Sequence, residues 1–170
     1  MQLIEPCCAP KHLLTLRENL GENGTAFFHG YGDLSLAEIL PALLIRYCET
    51  EMTIVVPSLP GTTADAILAA MRKTRAKMTG NGNLNVISHL TLVADLSERR
   101  SPMASEWVKS NPFRGRMTLK NVQQNDTAIL LPDIALVGPM NLTYGGHFTA
   151  LATKNARTIE TLRGMYEGLR

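Results

Sequence analysis

The chain has 170 residues, 45% apolar and 19% charged, with 17 Lys+Arg against 15 Asp+Glu. That length suits one domain with a sizeable core, and the apolar fraction excludes a disordered chain. The apolar run Ile39 to Ile45 is far shorter than the about 20 residues a membrane span needs, and Met1 to Pro6 lacks a basic start and an apolar h-region, so no membrane segment or secretory signal is expected and the expected location is cytoplasmic.

Residues 1–24 read as a leader with a short helix, His12 to Leu20, closed by Gly21. Thr25 to His29 reads as a short buried strand, with Gly30-Tyr31-Gly32-Asp33 as a turn. Ser35 and Glu38 form a capping box for a helix carrying Leu36, Ile39, Leu40, Leu43, Leu44 and Tyr47 at helical spacing. Met52 to Val56 is a β-branched strand ended by Pro57, and a long helix is predicted from Thr62 or Thr63 to Lys77. Asn85 to Asp95 reads as a central strand because Leu90 to Ala94 is apolar-rich. A short helix begins at Ser101-Pro102 and ends near Asn111-Pro112. Strands are predicted at Met117 to Val122, Ala128 to Leu131, Ala135 to Val137 and Phe148 to Thr153, before a closing helix, Ala156 to Leu169, with Ile159, Leu162 and Tyr166 on one face. Early alternation of strand and helix with clustered late strands gives an α/β class: a single domain over residues 25–170, with a mixed sheet and helices on both faces.

Three cysteines are an odd number, and the adjacent Cys7 and Cys8 are poorly placed to bridge each other. No Cys or His shows metal-ligand spacing, and neither G-x-G-x-x-G, a P-loop, G-x-S-x-G nor H-E-x-x-H is present, so no cofactor or metal is expected. Charge is uneven: Arg72 to Lys120 carries +7 and the remainder −5. Arg72, Lys73, Arg75 and Lys77 suit the negative end of their helix dipole. Arg99, Arg100, Arg114 and Arg116 have no such explanation and are the candidate phosphate-binding cations, with Trp107 and Phe113 interleaved for base stacking. The bland alternative is a solvated face for the cations and core packing for the aromatics.

Residues 126–143 read Asp-Thr-Ala-Ile-Leu-Leu-Pro-Asp-Ile-Ala-Leu-Val-Gly-Pro-Met-Asn-Leu-Thr. This segment resembles the signature of the phospholipase D-like superfamily, in which a His-x-Lys-x-x-x-x-Asp stretch is followed by a Gly-Ser-x-Asn turn. Asp133, Gly138 and Asn141 occupy the Asp, Gly and Asn places, while Asp126 stands for the His, Ala128 for the Lys and Pro139 for the Ser. The resemblance extends over residues 25–170. In the family, as the resemblance implies, one His attacks a phosphodiester phosphorus and a partner His protonates the leaving group. Lys and Asn hold the phosphoryl oxygens, and Asp orients the imidazole. Members with a single motif pair two copies so that the motifs face each other. The resemblance therefore implies a homodimer, with the signature expected at a sheet edge where one copy would leave half a site.

The departures bear directly on the reaction. An Asp repels an incoming phosphate, and an Ala supplies no cation; losing one charge-stabilising donor alone costs about 3 kcal/mol in the transition state. The expected function is a phospholipase D-like domain with a decayed site, acting in binding or assembly, with nucleic acid as a candidate partner and the balance leaning against an enzyme. The alternative is a repurposed hydrolase or phosphodiesterase using a relocated base: His29 at the end of the first strand, or His147 after Gly145-Gly146. Both histidines equally suit plain loop hydrogen bonding. His89 reads as a satisfied core histidine and His12 as an exposed one.

Overall fold

Apolar residues that alternate across a strand can be buried on both faces only if both faces are covered. The computed structural model, which describes residues 2–4, 20–32, 50–65, 67–68, 87–110, 117–138 and 146–168, meets that condition. Its strands are β1 (Gln2–Ile4), β2 (Thr25–Gly32), β3 (Thr50–Ser58), β4 (Ile87–Asp95), β5 (Met117–Asn121), β6 (Ala128–Leu130), β7 (Ala135–Val137) and β8 (Gly146–Thr153). Helical residues 61–65 and 67–68 (α1), Pro102–Ser110 (α2) and Ala156–Gly168 (α3) complete the described elements.

The strands form one eight-stranded mixed sheet in the order β1-β2-β8-β7-β6-β3-β4-β5. The β1–β2, β3–β4 and β4–β5 pairs are parallel, and the four pairs running from β2 through β8, β7 and β6 to β3 are antiparallel. One face buries Ile54, Val56, Leu92, Ala94, Ile129 and Leu136 under Ala64 and Ile67 of α1 and Trp107 of α2. The other buries Val55, Val93, Ala128, Leu130 and Ala135 under Ile159 and Tyr166 of α3. This is the expected α/β class, a mixed sheet with helices on both faces. Among the described residues no helix is long and apolar enough to cross a membrane.

Local signals set the helix starts. Ser101 precedes Pro102, whose missing N–H costs least in the first turn, and the Ala104 N–H donates to the Ser101 carbonyl at 3.0 Å. Asn155 caps α3, its Oδ1 accepting from the Thr158 N–H at 2.9 Å.

Several expectations are corrected. Gly30 to Gly32 is strand rather than turn, because Gly146, His147 and Phe148 of β8 pair opposite it. Pro57 does not end β3: the strand runs on to Ser58, with a register irregularity between Val55 and Ser58 that accommodates a residue without an N–H. The leader contributes an unanticipated strand, β1. The signature hairpin β6–β7 lies mid-sheet, not at an edge. Trp107 is core, 2% exposed, which removes it as a stacking platform. Residues 12–19 of the first predicted helix, the predicted helix over 36–47, the helix beyond residue 68, and Phe113 lie outside the described residues.

Ile54 is fully buried at the sheet centre, whereas Met165 on α3 is 48% exposed. Ile54→Ala is expected to lower unfolding free energy by about 2–5 kcal/mol in a urea titration. Met165→Ala should stay within about 0.5 kcal/mol of the parent chain.

Candidate functional site

Register gathers one set of strand ends. Val55, Ala128, Val137, Leu151 and Phe27 lie level across the sheet. Beyond that row lie the C-terminal ends of β2, β3, β4 and β5, the segment entering β6, and Gly138. In open α/β sheets, ligands bind outside the carboxyl ends of the parallel strands.

Asp126 stands at this end, exposed, two residues before β6. Its Oδ2 accepts a hydrogen bond from the Tyr166 hydroxyl at 3.4 Å. Ala128 is fully buried in the core cluster that includes Ile159 and Tyr166 of α3. A long cationic side chain has no room there. Gly138 closes the same end: its N–H donates to the Thr127 carbonyl at 2.9 Å, and its φ of 155° favours glycine.

Asp133 is elsewhere. It lies in the tight turn of the hairpin, where the Leu131 N–H donates to the Ile134 carbonyl at 2.9 Å. A strand rise of about 3.4 Å per residue puts it about 15–20 Å from Asp126. The hairpin thus separates the Asp126 and Asp133 carboxylates, and Asp133 cannot orient a group at position 126. The register also places positions 147 and 29 at the Asp126 end, on β8 and β2, two and three strand spacings from β6. Those spacings are roughly 10 and 14 Å. Asn141, Arg114 and Arg116 lie outside the described residues. His89 is half-buried, its Nε2 within 2.8 Å of the Thr118 hydroxyl.

The turn after β4 completes this end. Asp95 Oδ1 accepts the Ser97 N–H at 3.0 Å, and Arg100 Nη1 lies 3.5 Å from Asp95 Oδ2. The Ser97 N–H, with smaller contributions from the Ser97 side chain and the Arg100 charge, holds the Asp95 carboxyl below its ordinary range. The Ser101 hydroxyl donates to the Asp95 carbonyl and accepts the Leu59 N–H at 2.7 Å. Arg99 and Arg100 are both exposed on this turn. Between them and Asp126, the Gln124 amide donates to the Val56 carbonyl at 2.5 Å. Among the described residues no group of three or more His, Cys, Asp and Glu is placed to hold a metal ion. Tyr166 and Gln124 were not singled out for this end by the sequence; Tyr166 carried a signal only as part of the apolar face of its helix.

No protein-family model matches the chain, and no curated protein matches it in sequence. Solved structures do. The chain is similar over 98% of its length to polyphosphate kinase from Porphyromonas gingivalis, with TM-score 0.57 and 14% identity, and spans 30% of that chain. The fold is phospholipase D-like. NucT from Helicobacter pylori matches over 84% of this chain and 95% of its own, with TM-score 0.47 and 15% identity. TrmBL2, an archaeal chromatin protein whose structure shows a novel mode of DNA binding, matches over 93% of this chain and 56% of its own, with TM-score 0.48 and 10% identity.

Burial, then the Asp126 charge and hydrogen bond, push the Tyr166 phenol up to about 12. An unfolded tyrosine titrates near 10. Between about pH 10 and 12 the folded chain keeps a proton that the unfolded chain has lost, so this stabilisation is complete below about pH 10 and disappears as pH rises through about 12. Tyr166→Phe is expected to flatten the decline of stability over that window, measured by urea unfolding at successive pH values.

Proposed function

We propose that this chain is a cytoplasmic, non-catalytic phospholipase D-like domain that acts in binding or assembly, its phosphodiester site decayed. The observation that carries this reading is the state of positions 126 and 128. The place of the nucleophile holds a carboxylate tied to a phenol, and the place of the phosphate-holding cation is a fully buried alanine under α3. Phosphoryl transfer depends on positive charge at the equatorial oxygens and on a positioned nucleophile. A buried alanine meets neither need.

Nucleic acid is the candidate ligand. Exposed Arg99 and Arg100 stand at the sheet end where the parallel strands terminate, a placement suited to a phosphate backbone. The reading as a repurposed hydrolase draws on a different observation: the backbone register brings positions 29 and 147 to the same sheet end as Asp126. A phosphodiesterase activity lost in His147→Ala and kept in Asp126→Ala would favour that second reading.

The expected outcome with bis-p-nitrophenyl phosphate is no turnover above the uncatalysed rate. Activity that survives repeated purification and disappears in Asp126→Asn would overturn the non-catalytic assignment.

The single copy of the signature, together with the resemblance at Asp133, Gly138 and Asn141, supports a homodimer. Light scattering at tens of micromolar should return twice the mass of the 18.6 kDa chain. A monomer under those conditions would count against the pairing.

A further inference from the structure

The turn after β4 carries two adjacent arginines with different surroundings. Arg99 is exposed, and among the described residues no ion pair or hydrogen bond holds its guanidinium. Arg100 faces Asp95 at 3.5 Å, with half of its side chain exposed and the carboxylate only 11% exposed.

Asp95 is fixed where it stands. Its Oδ1 accepts the Ser97 N–H, and its carbonyl accepts the Ser101 hydroxyl, which in turn accepts the Leu59 N–H. The Arg100 and Ser101 N–H groups both donate to the Ser97 carbonyl, at 3.0 and 2.8 Å. The turn is therefore locked from both sides, and the carboxylate cannot withdraw when a second anion approaches Arg100. Affinity for a polyanion scales with the counterions released by cations that are not already neutralised. By that measure the turn offers one full cation, not two.

We propose that Asp95 is a built-in counterion that withholds Arg100 from an anionic backbone, leaving Arg99 as the phosphate-contacting residue of this turn. This rests on the nucleic-acid reading above. The ion pair is single-pointed and half exposed, so its grip is modest: about two- to fivefold in binding. Asparagine at position 95 keeps an oxygen for the Ser97 N–H while removing the charge. A carboxylate that instead positioned Arg100 for a phosphate would give the opposite sign on that replacement.

The test measures affinity of the full chain for single-stranded oligothymidylate, titrated upward from ~50 mM salt. The variants are Arg99→Gln, Arg100→Gln, Asp95→Asn and the Asp95→Asn/Arg100→Gln pair. Arg99→Gln should weaken binding and lower the log-salt slope by about one. Arg100→Gln leaves the Asp95 charge uncompensated and should weaken binding about two- to fivefold, without the unit drop in log-salt slope that a lost phosphate contact gives. Asp95→Asn should tighten binding about two- to fivefold, and adding Arg100→Gln should cancel that gain.

If the parent chain binds and Asp95→Asn binds no tighter, or Arg100→Gln lowers the log-salt slope as much as Arg99→Gln, the counterion role is overturned and the nucleic-acid surface stands. If neither the parent nor Asp95→Asn binds, the surface itself falls and the role with it. Binding by Asp95→Asn alone supports the role. If circular dichroism shows that Asp95→Asn has lost its fold, the comparison of the two single arginine variants decides.

Discussion

Everything in this fold depends on a central strand pair, β3 and β6, being covered on both faces. Ile54 and Ile129 face one helical layer, while Val55, Ala128 and Leu130 face the other. A strand in that position has no tolerance for an unpaired charge or a long polar side chain, because desolvating it costs more than any nearby contact returns. The same constraint that builds the core bears on positions 126 and 128. Ala128 shares its cluster with Tyr166 and Ile159, and Asp126 is exposed beyond the covered part of the strand.

The electrostatic character of the sheet end follows from that arrangement. Around the β6 entry the described side chains offer acceptors: the Asp126 carboxylate and the Gln124 carbonyl, whose Oε1 is buried with no hydrogen-bond partner among the described residues. Around the end of β4 they offer cations, one free and one compensated. The two halves are separated by β3, and the Val56 carbonyl, released where the β3–β4 register slips, is bonded by the Gln124 amide. Among the described residues the end of the sheet thus carries charges of both signs.

Much of the architecture was legible from sequence. Ala135 to Val137 and the start of the closing helix at Ala156 match the structure, because a short apolar run and an apolar face at helical spacing are local signals. The α2 start was legible for the same reason, through Ser101-Pro102. What was not legible was set by distant partners. Gly30 and Gly32 carry turn chemistry, yet β8 enlists them into a strand; Gln2 to Ile4 is too short to signal a strand without β2 beside it. The motif spacing showed Asp126 and Asp133 to be near in sequence but not that a turn between them sends them to opposite ends of a hairpin. Trp107 between basic residues suggested a stacking surface, whereas its helical position turns it inward.

The placement of β2 also dictates when this protein can finish folding during synthesis. β2 lies between β1 and β8, and its first residue shares a side-chain hydrogen bond with Thr153 across 128 positions, Thr25 Oγ1 to Thr153 Oγ1 at 2.7 Å. At about 5–20 residues per second, a ribosome makes β2 wait on the order of ten seconds for its antiparallel partner. During that interval its eight residues present one unpaired edge, the kind of surface that invites pairing with other nascent chains. Loop closure over such a distance must precede the contacts that reward it, so the left half of the sheet is a late-forming, slow step while β3 to β5 can assemble from nearer neighbours. The exposure of that edge during synthesis is therefore a property of strand order and not of composition.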